Sequence, residues 1–360
     1  MKKVFISDCE GPISKNDNAF EITSHFVPNG DKLFTVISRY DDVLADILKR
    51  PHYKAGDTLK LILPFLKAYD VTDRKMNEFS AQSLVLISGI KDTLKHIMDV
   101  AHAFIVSTSY KHYIKALCQA LDFPYKNTYC TRLSIDKYRI TEEEKTKLKE
   151  IAKEIAQMPI MKIPSETKSL KDFSKKNQKI ILRLDEIFWR EIACMKASGI
   201  FSEVNPVGGD EKADAVKDAV KRTGVSLADV MYVGDSITDV EAFRLVRENG
   251  GLAVSFNGNQ YAIKYTEIAI LSEHSIATAI IAYAFSQFGK QQALSLFENW
   301  SCEALKRSSI NQTLLNSLFK LYPKKLPKVK IITRENMEIL AKESSEFRKM
   351  VRGEAIGRLG

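Results

Sequence analysis

The sequence has few cysteines and no long hydrophobic run. Its five cysteines include no C-x-x-C pair, so we expect the reduced thiols of an intracellular protein. The apolar stretch 276–288 is shorter than the roughly 20 residues of a membrane span, and it carries Ser and Thr. Ser7 and Asp8 follow the N-terminal lysines too soon for a signal peptide. We therefore expect a cytoplasmic protein that makes no use of the membrane.

The chain is longer than a typical single domain, which favours one core with one or two smaller units attached. It has 360 residues, of which 45% are hydrophobic and 28% are charged, so it can bury a substantial core. The net charge of +9 could favour binding of nucleic acid or another polyanion. It could equally attract phosphorylated substrates. We favour a small phosphorylated substrate over nucleic acid.

The first apolar run, residues 4–6, ends abruptly in polar residues. Asp8, Glu10 and Gly11 follow it, as expected where a buried parallel strand delivers polar side chains to its carboxyl edge. Ligands of open α/β sheets bind at that edge. Side chains two apart on a strand share a face, so Asp8 and Glu10 could act together. The alternative for these residues alone is a solvated acidic turn.

Matching pieces follow downstream in order. A second apolar run at 103–106 and a third at 230–233 each end in polar residues, and a Gly208-Gly209 loop between them opens a predicted helix. In that helix Asp210 is the expected cap and Lys212 lies in the first turn. The polar residues that these pieces supply are Ser107, Thr108, Lys212, Asp235 and Asp239.

Together these four motifs resemble the haloacid dehalogenase (HAD) superfamily of phosphohydrolases. The superfamily has D-x-D at the first strand, Ser or Thr at the second, a Lys, and G-D-x-x-x-D at the fourth strand. Residues 106–133, and the 23-residue step from Lys212 to Asp235, look closest to the phosphoserine phosphatase branch. The chain departs from the usual pattern at two positions, because Glu10 stands where Asp is usual and Pro12 where Thr or Ser is usual.

The resemblance implies an α/β fold: a Rossmann-like three-layer HAD core with a parallel sheet, helical cap insertions and a helical C-terminal extension. The segments 1–15, 85–140 and 205–285 would form the core. Residues 16–84, with helical apolar spacing after a polar hinge, would form a cap over the phosphate site. Residues 141–204 would be a second insertion that could join a composite lid. Residues 286–360 would be an extension of helices at 291–306 and 335–350, with a frayed end from 348.

The resemblance also implies roles for individual residues. Asp8 would be the nucleophile, and Glu10 would protonate the leaving oxygen and then activate water. Ser107, Thr108 and Lys212 would bind the phosphoryl group. Mg²⁺ would be held by the carboxylates of Asp8, Asp235 and Asp239, together with the Glu10 backbone carbonyl.

We therefore expect a Mg²⁺-dependent phosphohydrolase that acts on a small phosphorylated metabolite through an aspartyl-phosphate. Two alternatives stay open at this point. One is a phosphatase with a protein or nucleic-acid substrate, and the other is a noncatalytic or weakly catalytic subunit of a larger assembly. The C-terminal extension could mediate an oligomer or bind a protein partner. No motif in either insertion names the substrate.

Overall fold

The computed structural model describes residues 2–164 and 167–357. Its strands form a sheet in the order β3-β2-β1-β4-β5-β6-β7, in which β1 to β6 are parallel and β7 runs antiparallel beside β6. This order puts the carboxyl ends of β1, β2 and β4 side by side. The strands are β1 (Lys3–Ser7), β2 (Ala101–Tyr110), β3 (Thr128–Thr131), β4 (Val230–Gly234), β5 (Leu252–Phe256), β6 (Ile268–Leu271) and β7 (Lys328–Ile331).

Helices fill the connections between the strands and the two insertions. In chain order they are α1 (Asn18–Phe26), α2 (Gly30–Asp42), α3 (Thr58–Leu61), α4 (Leu63–Ala68), α5 (Asp73–Ser83), α6 (Ile90–Val100), α7 (Lys111–Leu121), α8 (Glu142–Gln157), α9 (Lys175–Glu186), α10 (Gly199–Glu203), α11 (Asp210–Thr223), α12 (Val240–Glu248), α13 (Gln260–Tyr265), α14 (Ile276–Glu298), α15 (Cys302–Arg307), α16 (Gln312–Leu321), α17 (Met337–Arg352) and α18 (Glu354–Gly357). No helix within 2–164 or 167–357 is long and apolar enough to cross a membrane.

The sheet is buried on both faces, which explains why its strands are continuous apolar runs. Side chains alternate along each strand, so Phe5 joins a cluster with α6 and α14, while Val4 and Ile6 join a cluster with α11 and α12 on the other face. The result is a three-layer α/β architecture. The predicted fold class is confirmed, and helices lie on both sides of the parallel sheet.

The two insertions share one hydrophobic cluster. It draws buried residues from 19–76 and from 133–204, and α8 packs on α2 and α4. Polar contacts add to the packing: the Tyr40 hydroxyl donates to Asp185 Oδ1 at 2.5 Å, and Arg50 Nη1 lies 2.9 Å from the same oxygen. The insertions therefore form one helical body beside the core.

The C-terminal segment differs most from its prediction. The expected boundary at 285 falls inside α14, which runs from the core into the tail and breaks at Gly289. The tail also supplies β7 to the sheet edge, so it is not purely helical. A frayed end from 348 is wrong for 348–357, because α17 and α18 are ordered there and Arg348 and Arg352 are buried. Residues 358–360 of that predicted end lie outside the described residues.

A buried histidine connects the core to the helical body. His112, in the first turn of α7, is 2.7 Å through Nε2 from Oδ1 of Asp73, the first residue of α5. Burial lowers the pKa of His112 below 6.5, and hydrogen bonding and attraction by Asp73 oppose that shift without cancelling it. The folded protein therefore holds this imidazole neutral over part of the range in which the unfolded chain protonates it.

We expect His112 to make stability depend on pH. As pH falls below 6.5 the unfolded chain binds a proton first, so the unfolding free energy should decline in mildly acid solution. His112→Asn removes the titration and should lessen this decline, as measured by urea unfolding at about pH 7.5 and about pH 5.5. The exposed His102, changed to Asn, is the matched control. An identical pH dependence in native protein and His112→Asn would contradict the prediction.

Candidate active site

Asp8 lies at the carboxyl end of β1, between β2 and β4. Its backbone N–H donates to the Val233 carbonyl at 2.7 Å, which continues the pairing with β4 one residue past the strand. The Cys9 N–H donates to Asp8 Oδ1 at 2.7 Å and so orients the carboxylate. Its other oxygen, Oδ2, points to Lys212. The strand end therefore fixes this carboxylate through backbone hydrogen bonds on one side and a cation on the other.

Lys212 bridges two carboxylates in the interior. Its Nζ lies 2.9 Å from Asp8 Oδ2 and 2.7 Å from Asp239 Oδ1, and its side chain is fully buried. Burial alone would lower the pKa of Lys212, but attraction by Asp239 and Asp8 outweighs it and raises the pKa above its usual range. The ammonium group therefore stays charged. Gly209, not the predicted Asp210, is the N-cap of α11; Asp210 is its first residue.

Both carboxylate oxygens of Asp239 accept hydrogen bonds. Its Oδ1 also accepts from the Tyr232 hydroxyl at 2.8 Å, and its Oδ2 accepts from the backbone N–H groups of Asp235 and Ser236 at 3.0 and 3.1 Å. Gly234 makes this possible, because a Cβ there would lie only 2.5 Å from the Asp239 Cγ. The carboxylate thus stabilises the turn after β4 as well as Lys212.

Asp235 meets two arginines of the tail. Arg348 and Arg352 of α17 both donate from Nη1 to Asp235 Oδ2, Arg352 at 3.0 Å. Gly11 lies on the other side of this oxygen with φ +110°, and a Cβ there would come within 2.0 Å of it. The loop after β1, the turn after β4 and the tail therefore converge on one carboxylate oxygen.

Glu10 points toward the start of the first insertion. Its Oε1 accepts from the Asn18 N–H at 2.7 Å, at the first residue of α1. Burial raises the pKa of Glu10 to about 8, with added repulsion from Asp17, while the Asn18 hydrogen bond and Arg352 act in the opposite direction. A carboxyl group in this environment is protonated near neutral pH and can donate a proton.

Ser107 and Thr108 follow Val106 where the pairing of β2 with β3 shifts register. Ser107 is fully buried, and its Oγ accepts from the Ser109 N–H at 3.1 Å, so its hydroxyl proton can serve another acceptor. Thr108 lines the same pocket as Asp8. Both residues lie at the same sheet edge as Asp8, because parallel strands end at one edge.

A cavity of about 90 Å³ lies between the sheet edge, the helical body and the tail. The first insertion contributes Phe34, Ser38 and Thr58 to its wall. The loop 54–56 contributes Gly56 to the wall: Gly56 N–H donates to Asp41 Oδ2 at 2.9 Å, and Lys54 Nζ lies 3.0 Å from Glu211 Oε1 in the first turn of α11. The loop therefore connects the helical body to α11 beside the cavity.

The residues present fit a divalent cation. Asp8, Asp235 and Asp239 each offer a carboxylate oxygen, and these atoms lie within 4.8 Å of one another. Burial raises the pKa of Asp8 to about 7, Lys212 lowers it, and the charges of Asp239 and Asp235 raise it further. Five aspartates besides Glu10 line the cavity against two guanidinium groups, so a cation would offset negative charge on those aspartates that are ionised. Carboxylate oxygens are ligands that Mg²⁺ prefers.

Comparison with known proteins identifies the family. The sequence profile of the haloacid dehalogenase-like hydrolases matches residues 86–280, which is more than half of the chain. This chain belongs to the haloacid dehalogenase-like hydrolase family. The prediction made from its four motifs is confirmed at this level, including that the protein is a hydrolase.

Solved structures resemble this HAD-like hydrolase to different extents. Gene product AF1437 from Archaeoglobus fulgidus is 26% identical, with a TM-score of 0.80 over 100% of this chain and 99% of that protein. Phosphoserine phosphatase in apo form is 14% identical, with a TM-score of 0.42 over 76% of this chain and 96% of that one. A phospho-aspartyl intermediate analogue of phosphoserine phosphatase is 14% identical, with a TM-score of 0.45 over 74% and 92%. None of the curated proteins matches this chain.

The predicted residues come together, and the structure adds others that the motifs did not include. Asp8, Lys212, Asp235 and Asp239 form one buried cluster, Glu10 and Thr108 line the cavity with Asp8 and Asp235, and Ser107 precedes Thr108 at the same sheet edge. The Glu10 side chain is outside the carboxylate cluster, and its backbone carbonyl as a metal ligand stays a prediction. The residues that sequence reasoning missed are Tyr232, Arg348 and Arg352. The one available signal was the four-residue spacing of two arginines, of which only Arg348 lies in the predicted helix 335–350, and arginines are common in the last turn of any helix.

We expect Lys212→Met to destabilise the protein strongly. The substitution leaves Asp8 and Asp239 buried without their shared cation, and breaking a buried pair in this way costs about 3–5 kcal/mol of unfolding free energy. Lys217→Met on the same helix breaks only an exposed pair with Asp214 and should cost less than about 1 kcal/mol. Urea unfolding of the two variants provides the comparison, and equal losses would show that the buried bridge is not a stabilising interaction.

Proposed function

We propose that this protein is a Mg²⁺-dependent phosphomonoesterase that acts on a small phosphorylated metabolite through an aspartyl-phosphate at Asp8. The observation that carries the proposal is the Asp8 carboxylate at the strand end, paired with buried Lys212 beside Asp235 and Asp239, where Asp8 and Asp235 line a cavity. Membership of a hydrolase family supports the reaction class. The remaining steps follow from the residues around Asp8.

Asp8 is the proposed nucleophile. An oxygen of its carboxylate attacks phosphorus, a new O–P bond forms, and the bond from phosphorus to the ester oxygen breaks. Cys9 N–H on Oδ1 and Lys212 on Oδ2 hold the carboxylate in a fixed orientation, which lowers the entropic cost of the attack. Lys212 also offsets repulsion between the carboxylate and the phosphoryl group.

Glu10 is the proposed acid and base. Its raised pKa keeps a proton available for the leaving oxygen in the first step. The Glu10 carboxylate that results can take a proton from water, whose oxygen then attacks phosphorus and releases phosphate and free Asp8. Asn18 N–H binds Oε1, so Oε2 is the oxygen assigned to proton transfer. The glutamate's extra methylene is thereby accommodated at the start of the cap.

The phosphoryl oxygens need positive charge and hydrogen-bond donors. Ser107 and Thr108 are assigned to donate hydrogen bonds, and Lys212 contributes charge. Asp8, the Glu10 carbonyl and Asp235 would hold Mg²⁺, with Asp239 as a direct or water-mediated ligand. When bound, Mg²⁺ would supply charge neutralisation for the phosphoryl group.

A small substrate is favoured by the position of the insertions beside the sheet edge. The combined insertions are the proposed cap, because α2 and the loop 54–56 supply one wall and cover the sheet edge. A protein or nucleic-acid substrate would have to reach the sheet edge past this wall.

One observation favours the alternative of a weakly catalytic subunit. The proposed metal ligand Asp235 already pairs with two arginines, which compensate part of the charge that a cation would neutralise. Mg²⁺-dependent turnover by the native protein would separate the phosphatase from this alternative.

We expect native protein to release phosphate from small phosphate esters in Mg²⁺ and not in excess chelator. Asp8→Asn should eliminate turnover, because the amide cannot form the acyl-phosphate. Asp214→Asn, an exposed aspartate of α11, should retain native turnover. Phosphate release from p-nitrophenyl phosphate and a panel of small metabolite esters is the measurement. Turnover that persists in Asp8→Asn, or a native protein that binds Mg²⁺ and hydrolyses none of these esters, would contradict the proposal.

Glu10→Gln should separate the two proton transfers. The amide can still accept from the Asn18 N–H, but it cannot exchange a proton, so steady-state kcat on an alkyl phosphate should fall about 10²–10⁴-fold. Nitrophenolate leaves without protonation, so p-nitrophenyl phosphate should give a rapid burst equal to the enzyme concentration and then a slow rate. Stopped-flow absorbance records the burst. A slow first turnover with this ester as well would assign Glu10 to the cap and not to proton transfer.

A further inference from the structure

Two buried arginines from the end of the chain are bonded to the carboxylate proposed as a metal ligand. Arg348 and Arg352 lie one turn apart on α17, and their side chains are both 4% exposed. Both bond Asp235 Oδ2, and Arg348 Nη1 also donates to the Asp235 backbone carbonyl at 3.3 Å. The other carboxylate oxygen, Oδ1, is the one assigned to the cation.

The helix that carries these arginines is firmly attached to the core. Leu340 packs in a cluster with Ile263, Ala269 and Leu271, and Ser344 Oγ donates to the Gly258 carbonyl at 2.6 Å. These contacts fix the axial position of α17, so the two guanidinium groups reach Asp235 as part of the folded core.

Arg352 also binds the hinge of the proposed cap. Its Nε donates to the Lys15 carbonyl at 3.0 Å and its Nη2 donates to the Asn16 carbonyl, where the chain leaves the core for the first insertion. One side chain thus connects the tail, the turn after β4 and the hinge. A guanidinium group can serve three acceptors at once because its donors are fixed in a plane.

The charge of this pair bears directly on cation binding. Two guanidinium groups on one oxygen fix the orientation of the carboxylate, and they also repel any cation that approaches it, strongly so where the effective dielectric constant is low. We infer that Arg348 and Arg352 are positioning residues for Asp235: they fix its carboxylate by Oδ2 and, by their charge, weaken the binding of the divalent cation. The inference rests on the proposed function, in which Asp235 is a metal ligand.

The test measures Mn²⁺ binding to the full-length protein through the electron paramagnetic resonance signal of the free ion. Arg348→Gln and Arg352→Gln should each bind Mn²⁺ at least about tenfold more tightly than native protein, because one repelling charge is removed. Arg348→Lys should stay within about threefold of native, since it keeps the charge. Arg334→Gln, at an exposed tail position, should match native, and Asp235→Asn should lose binding.

Thermal melting gives a second measurement that does not depend on turnover. Without metal, Arg348→Gln should melt below native protein, because Asp235 loses a buried counter-charge. Added Mn²⁺ should raise its melting temperature more than it raises that of native protein. A variant with lower stability and no change in Mn²⁺ binding would show a purely structural role and overturn the inference.

Other outcomes of the Mn²⁺ measurement also test the inference. Folded glutamine variants that bind Mn²⁺ as native protein does, or more weakly, would overturn the inference, as would variants that alter only the affinity for inorganic phosphate. Equal binding by native protein and Asp235→Asn, or no binding by native and glutamine variants alike, would overturn it together with the metal site. Tightened binding in the glutamine variants without hydrolysis of any ester by native protein would uphold it and overturn the proposed function instead.

Discussion

The buried bridge from Asp8 through Lys212 to Asp239 is the constraint on which the rest of the site depends. Three charged groups can stay in the interior only if each has partners, and here the register of β1 beside β4 and the start of α11 supply them. Tyr232 and the backbone N–H groups after β4 complete the shell of Asp239. The geometry of the site therefore depends on the register of the sheet.

Segments outside the core bring positive charge to the acidic groups around this bridge. The helical body lines the cavity with Gly56 of the loop 54–56, and Lys54 of that loop pairs with Glu211 in the helix that carries Lys212. The tail brings Arg348 and Arg352 to Asp235, and Arg352 reaches the hinge at Lys15 and Asn16. The tail arginines thus connect the carboxylate turn to the segment at which the cap begins.

Sequence patterns predicted the placement of the candidate residues where these residues directly follow a strand. The apolar runs at 4–6, 103–106 and 230–233 lie in strands, and the polar residues after them meet because parallel neighbours end at one edge. The patterns failed in the tail. Strand β7 is a short edge strand of mixed Lys, Val and Ile, and its partner β6 lies more than 50 residues earlier, so pairing and not local pattern decides it. The predicted N-cap of α11 was wrong by one residue. A local sequence pattern locates an N-cap only when a side chain caps the helix, and no side chain does so here.

The sequence by itself determined the family, the α/β class and the identities of Asp8, Glu10, Ser107, Thr108, Lys212, Asp235 and Asp239 as site candidates. Each of these follows a short-range signal: an apolar run, a glycine turn or a helix start. Only the tertiary structure decided that the two insertions share one core and that Arg348 and Arg352 reach Asp235 across 113 and 117 residues of chain. Such contacts depend on how whole elements pack, and no pattern within a single helix or strand encodes the partner that its buried face will meet.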